Sequence, residues 1–194
     1  MSERELVRHY ASILKANGYW VVEEYNIYGG LMKESSFRYR YGRDYKELKH
    51  PPHLGQPTID LLFGPFRNNE PCTPIYACEF KYLRSSRRLS YYVGLDEALA
   101  LLTYGVDKAK LVHFIDERVL LEDERVKAYP IFTAVLIKWL SLPIGFEAYT
   151  VDRRGGLNEI SEYRIEAPQN PILMEGLVRE TREFTIKDLN LRQY

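Results

Sequence analysis

An α/β architecture, a mixed sheet bracketed by helices, is predicted by three observations. Apolar residues recur at helical spacing near 3–17, 91–104 and 123–140. Short runs rich in β-branched and aromatic residues separate those stretches, at 19–25, 58–63, 75–82 and 110–115. The resulting order is helix, three strands, helix, strand, helix and a closing hairpin, which buries one sheet between helical layers.

Each element has its own warrant. Leu6, Val7, Tyr10, Ile13 and Leu14 form the buried stripe of the first helix, with Ser2 as N-cap and Asn17-Gly18 as its end. Tyr19 to Tyr25 is a strand. Thr58 to Phe63 is another, which Gly64-Pro65 is expected to break. Ile75 to Tyr82 is a third, and the last two should pair as an antiparallel hairpin across a loop at 64–73. Leu95, Ala98, Leu99 and Leu102 mark the next helix, with Gly105 as its C-cap. Lys110 to Ile115 is a buried strand. The helix over 123–140 carries Pro130, a point of kinking or division. Residues 145–151 and 159–165 alternate at period two around the Arg153-Arg154-Gly155-Gly156 turn. A short helix over 171–182 and an extended end near 184–186 complete the reading.

The 194 residues suit a single domain, with 31–56 as an inserted loop or hairpin and 120–194 as a C-terminal elaboration. Hydrophobic content of 45% supports a full core, and no apolar run reaches the ~20 residues of a membrane span. The charged start lacks the apolar region of a signal peptide, so the expected location is cytoplasmic, with no membrane partner. Two cysteines are too few for a disulfide framework or a zinc site, and Cys78 reads as a core residue. Net charge is zero, so any polyanion must be met by local clusters.

The strand Ile75-Tyr76-Ala77-Cys78-Glu79-Phe80-Lys81-Tyr82 carries the chemistry. Alternation puts Glu79 and Lys81 on one face and Cys78, Phe80 and Tyr82 on the other. An anion and a cation on an inner strand are costly to bury unless they are used. In the expected hairpin, Asp60 lies beside Glu79. Two close carboxylates repel, and a hard divalent cation removes the conflict. A water on that cation is a nucleophile suited to a phosphodiester. Lys81 would orient or deprotonate the water, or offset charge on the phosphoryl group.

The spacing Asp60 … Glu79-Phe80-Lys81, within helix–β–β–β–helix–β, resembles the PD-(D/E)XK nuclease superfamily. Ser2 to Val7, then Asn17-Gly18-Tyr19 and Val21-Val22, resemble the opening of archaeal Holliday-junction resolvases in that superfamily. The resemblance covers roughly residues 1–30 and 57–115. Ile59 stands where the family has proline before the aspartate, with Pro57 displaced. The resemblance implies a restriction-endonuclease-like core and a metal-dependent nuclease, cutting within a strand or from its end. Asp60 and Glu79 would hold Mg²⁺, or Mn²⁺ in its place, Lys81 would be the catalytic lysine, and Glu3 an accessory acid. Glu5 is the rival for that last role.

DNA, branched or single-stranded, is the substrate this implies, and RNA offers the same phosphodiester. A homodimer is expected if a junction is cut symmetrically. Arg38, Arg40, Arg43 and Lys46 interleave with tyrosines in a run suited to phosphates and stacked bases. Arg84, Arg87 and Arg88 follow the catalytic strand, where a backbone would pass. Against these stands an ordinary solvated hairpin and loop. Arg153-Arg154 reads as a plain turn, His113 as a satisfied core histidine, and His50 and His53 lack the spacing of zinc ligands. The alternative reading is a nuclease fold that binds nucleic acid or scaffolds a complex without cutting.

Overall fold

The computed structural model describes residues 1–26, 58–84, 92–122 and 124–193. The predicted insertion at 31–56, with Arg38, Arg40, Arg43 and Lys46, lies outside the described residues, as do Arg87 and Arg88.

Helix α1 (Glu3–Ala16) begins in a capping box: the Glu5 N–H donates to Ser2 Oγ at 3.2 Å, and the Ser2 N–H donates to Glu5 Oε2. Strands β1 (Tyr19–Asn26), β2 (Thr58–Arg67), β3 (Glu70–Pro71) and β4 (Tyr76–Leu83) follow. Helix α2 (Leu95–Ala100), tightened into a 3₁₀ turn over Leu101–Tyr104, crosses to β5 (Lys108–Asp116). Helices α3 (Glu117–Glu122) and α4 (Glu124–Trp139) lead to β6 (Gly145–Val151), β7 (Leu157–Glu159) and α5 (Gly176–Asp188). The sheet order is β1-β2-β4-β5-β6-β7, with β3 paired to β2. The β4–β5 and β5–β6 pairs are parallel and the others antiparallel, so the sheet is mixed, as predicted.

Several boundaries differ from expectation. β2 runs through Gly64-Pro65 instead of stopping there. A Cβ on Gly64 would lie 2.5 Å from the Trp20 ring and 2.6 Å from the Pro74 carbonyl, so glycine serves close packing rather than a break. The turn comes at Asn68-Asn69, both at positive φ, the two-residue geometry that suits hairpin twist. The predicted helix over 91–104 starts only at Leu95, after Gly94 at φ +78°. The helix expected over 123–140 is α4, with Pro130 inside it, and α3 before it was not expected. The second hairpin arm starts at Leu157 and ends at Glu159, where a 3₁₀ turn intervenes; only Ile165 rejoins β6, at Phe146. The tail at 184–186 is helical, within α5, because Ile186 must pack on the sheet.

α1 covers one sheet face, where Leu6, Tyr10 and Ala11 meet Leu61, Phe63, Cys78, Phe80 and Phe114. α2, α4 and α5 cover the other, where Leu95, Ala98, Ile137 and Ile186 meet Leu62, Ala77, Leu111 and Phe146. The first layer contains a buried ion pair. Lys110 Nζ lies 2.5 Å from Glu147 Oε1, while the Tyr10 and Tyr149 hydroxyls donate to Oε2 at 2.8 and 3.0 Å. Each charge is thereby partnered, the condition on which burial is tolerated. Among the described residues no helix is long and apolar enough to cross a membrane.

Candidate active site

The site lies where β2 parts from β4. Their pairing runs Phe63↔Tyr76, Leu62↔Ala77 and Leu61↔Cys78 and then stops. Continued by one step, the register sets Asp60 opposite Glu79. Beyond that point β4 would present unpaired N–H groups along the edge vacated by β2. Two carboxylates take them. Asp60 Oδ2 accepts the Phe80 N–H at 3.2 Å, and Glu3 Oε2 accepts the Tyr82 N–H at 2.6 Å. Glu3 reaches this edge from the first turn of α1, while Glu5 is committed to the capping box. Of the two candidate acids on α1, Glu3 is therefore the one placed at the fork.

Alternation along β4 is as predicted: Cys78, Phe80 and Tyr82 pack in the α1 layer, leaving Glu79 and Lys81 on the face toward α2. Lys81 Nζ lies 2.7 Å from Glu79 Oε1 and also pairs with Glu97 Oε2. Glu79 and Glu97 thus share one ammonium, and the three side chains form a cluster. Gly94 makes room for it: a Cβ there would stand 2.9 Å from Lys81 Cγ and 3.0 Å from Cε.

Glu97 was not among the sequence candidates. Its signal was indirect. A parallel β4–α2–β5 crossover lays the first turn of α2 over the face that carries Glu79 and Lys81, so an acid at 96 or 97 was due to meet them.

The electrostatics are those of crowded like charges. Burial, then the charge of Asp60, pushes the Glu79 carboxyl up to about 8. Asp60 is also raised, by burial, against the Phe80 N–H that favours its anion. Burial works against the Lys81 ammonium, yet its bonds to Glu79 and Glu97 hold it well above the usual lysine range. Glu97 is lowered, burial being outweighed by its bond to Lys81.

His113 stands beside Lys81 on β5. Its Nε2 lies 3.1 Å from the Val93 carbonyl, which ties β5 to the segment entering α2. Burial lowers its pKa to about 4, so the ring is neutral, with Nε2–H as donor. Nδ1 is buried without a partner among the described residues, so the expected core histidine is satisfied at one nitrogen only.

Arg84 lies just past the strand, with its guanidinium 4.5 Å over the Tyr82 ring and donating to the Met1 carbonyl. Arg153 and Arg154 sit on the predicted turn, where Asp152 Oδ1 accepts the N–H groups of Arg154 and Gly156 at 2.7 and 2.8 Å.

Among the described residues there is no group of three or more His, Cys, Asp or Glu side chains that could hold a metal ion. Asp60 and Glu79 are a pair, and both carboxyls are raised. One or two carboxylates completed by waters and a phosphate are the usual holding of Mg²⁺, so the donor set fits a hard cation. The chain matches no family model, no curated protein and no solved structure.

Proposed function

We propose that this chain is a Mg²⁺-dependent nuclease that hydrolyses phosphodiester bonds in DNA, on a restriction-endonuclease-like core of the PD-(D/E)XK type. The observation that carries the reading is the meeting of Asp60, Glu79 and Lys81 at the β2–β4 fork, where the second carboxyl is pushed up to about 8. Asp60 and Glu79 would hold the ion, which supplies an activated water and neutralises phosphoryl charge.

The chain's own residues then divide the remaining work. Lys81 is held protonated by two carboxylates, so it acts as a cation and not as a base. Its ammonium offsets charge that builds on the phosphoryl oxygens. Glu97 restrains that ammonium, and Gly94 permits its approach. Glu3 fixes the β4 edge beside the reacting centre. Arg84, stacked on Tyr82, would contact the DNA backbone.

The test is incubation with linear, single-stranded, flapped and four-way DNA under Mg²⁺ or Mn²⁺, beside Lys81→Ala. Metal-dependent product from the wild type alone supports the reading; no product on any substrate defeats it. A second reading, a binding module that does not cut, draws on the backbone bonds already made by Asp60 and Glu3. Under it, DNA retention would fall with salt and no cleavage would appear.

A further inference from the structure

A cleft of about 430 Å³ opens beside Tyr82, with Asp116, Arg118, Val151, Asp152 and Arg153 in its lining. Tyr82, Asp116 and Val151 end or nearly end β4, β5 and β6, three strands that run parallel. Crevices outside the carboxyl ends of parallel strands are where α/β sheets bind ligands, and this volume falls in the usual range of about 300–1,000 Å³. Tyr82 follows Lys81 on β4 but faces α1, so the cleft lies on the opposite sheet face from Glu79 and Lys81 and meets the site at the β4 edge, where Glu3 accepts the Tyr82 N–H.

Its chemistry is two-signed. Asp116 fixes Arg118 through Nε at 3.0 Å and a second nitrogen at 2.7 Å, and it accepts the Tyr82 hydroxyl at 3.2 Å. That guanidinium is held in place yet remains largely exposed. Arg153 is exposed on the facing turn, and no ion pair among the described residues engages it. Two carboxylates, Asp116 and Asp152, balance the two arginines. A simple anion gains little from such a lining. A group that offers an anion at one end and N–H donors at the other gains from both halves.

We propose that this cleft is a subsite for one nucleotide of the DNA strand, across the β4 edge from the bond that is cut. It takes a base with an exocyclic amino group, cytosine, adenine or guanine, and not thymine. Arg118 and Arg153 hold the phosphate, the base lies against Tyr82 and Val151, and Asp152 accepts from the amino group. A carboxylate suits the amino donor of cytosine. Thymine offers only an N–H flanked by carbonyls, which a carboxylate repels. The subsite rests on the nuclease reading for its purpose but not for its binding.

The test is metal-free binding of the full chain in EDTA, by calorimetry, with four probes: d(C)₄, d(T)₄, an abasic tetramer and free dCMP. d(C)₄ should bind at least fivefold tighter than d(T)₄ and tenfold tighter than the abasic tetramer or dCMP. Arg153→Ala should weaken d(C)₄ at least fivefold with an unchanged melting temperature, and Asp152→Asn should level the C/T preference. Equal binding of the tetramers, dCMP binding as tight as d(C)₄, or an inert Arg153→Ala would each overturn the subsite. Metal-dependent cleavage without base discrimination would remove the subsite alone. Discrimination without cleavage on any DNA would remove the nuclease reading alone.

Discussion

The Asp60 carboxylate accepts the backbone N–H of Phe80, the residue after Glu79, across a gap that β2 no longer spans. Asp60 is thus both a proposed ligand and part of the sheet's hydrogen bonding. The two roles separate by substitution. Asp60→Asn keeps an acceptor and should leave stability within about 0.5 kcal/mol. Asp60→Ala orphans the N–H and should cost about 1–3 kcal/mol. Both should abolish metal-dependent cleavage. Urea unfolding beside a nuclease assay checks this; equal stability of the two variants would deny the capping role.

Glu79 makes the metal-free protein sensitive to alkali. Its folded pKa is raised from 4.5 to about 8. The stability it contributes is fully present below 4.5 and is lost as pH rises through 8. A bound cation favours the ionised form and removes that penalty. Mg²⁺ should therefore raise the melting temperature more at pH 8 than at pH 5, with a gain of about 2.7 kcal/mol at a hundredfold excess over Kd. Glu79→Gln should abolish the gain at both pH values.

His113 acts in the opposite direction. Its folded pKa is about 4 against 6.5 for the free side chain. The unfolded chain therefore binds the extra proton between those values, and stability falls as pH drops from 6.5 to 4. The loss should approach about 3 kcal/mol. His113→Gln should remove this slope while leaving that of Glu79, so the wild-type-minus-variant difference isolates it. Denaturant midpoints at pH 7.5, 6 and 4.5 are sufficient.

Gly94→Ala places a methyl in a left-handed residue and against the Lys81 stem. It should cost about 1–2 kcal/mol and, by displacing the ammonium, lower cleavage about tenfold or more. Gly18→Ala, also at positive φ but with open space around it, is the control: similar strain, unchanged cleavage.

Much of this was legible in the chain. Alternation alone separated Glu79 and Lys81 from Cys78 and Phe80, and the capping box was written in Ser2 and Glu5. The local rules failed where tertiary packing overrode them. Gly64-Pro65 resembled a stop signal, yet the glycine exists to admit Trp20. Residues 184–186 looked extended until the sheet required a helix to cover it. Glu97 escaped because its role depends on how a crossover docks, not on its neighbours in sequence. Lys110 and Glu147, 37 residues apart, carry no sign of each other in the sequence, and the parallel register brings them into one buried pair.

The fork has an evolutionary corollary. Glu3 and Asp60 seal the open margin of β4 whether or not a bond is ever broken there. A descendant that abandoned hydrolysis would still be selected to keep acids at both positions, simply to stay folded. Persistence of those two acids among relatives would therefore say little about activity. The informative positions are Glu79 and Lys81, whose charges satisfy no main-chain group among the described residues and, under the nuclease reading, would drift first once cutting ceased to matter.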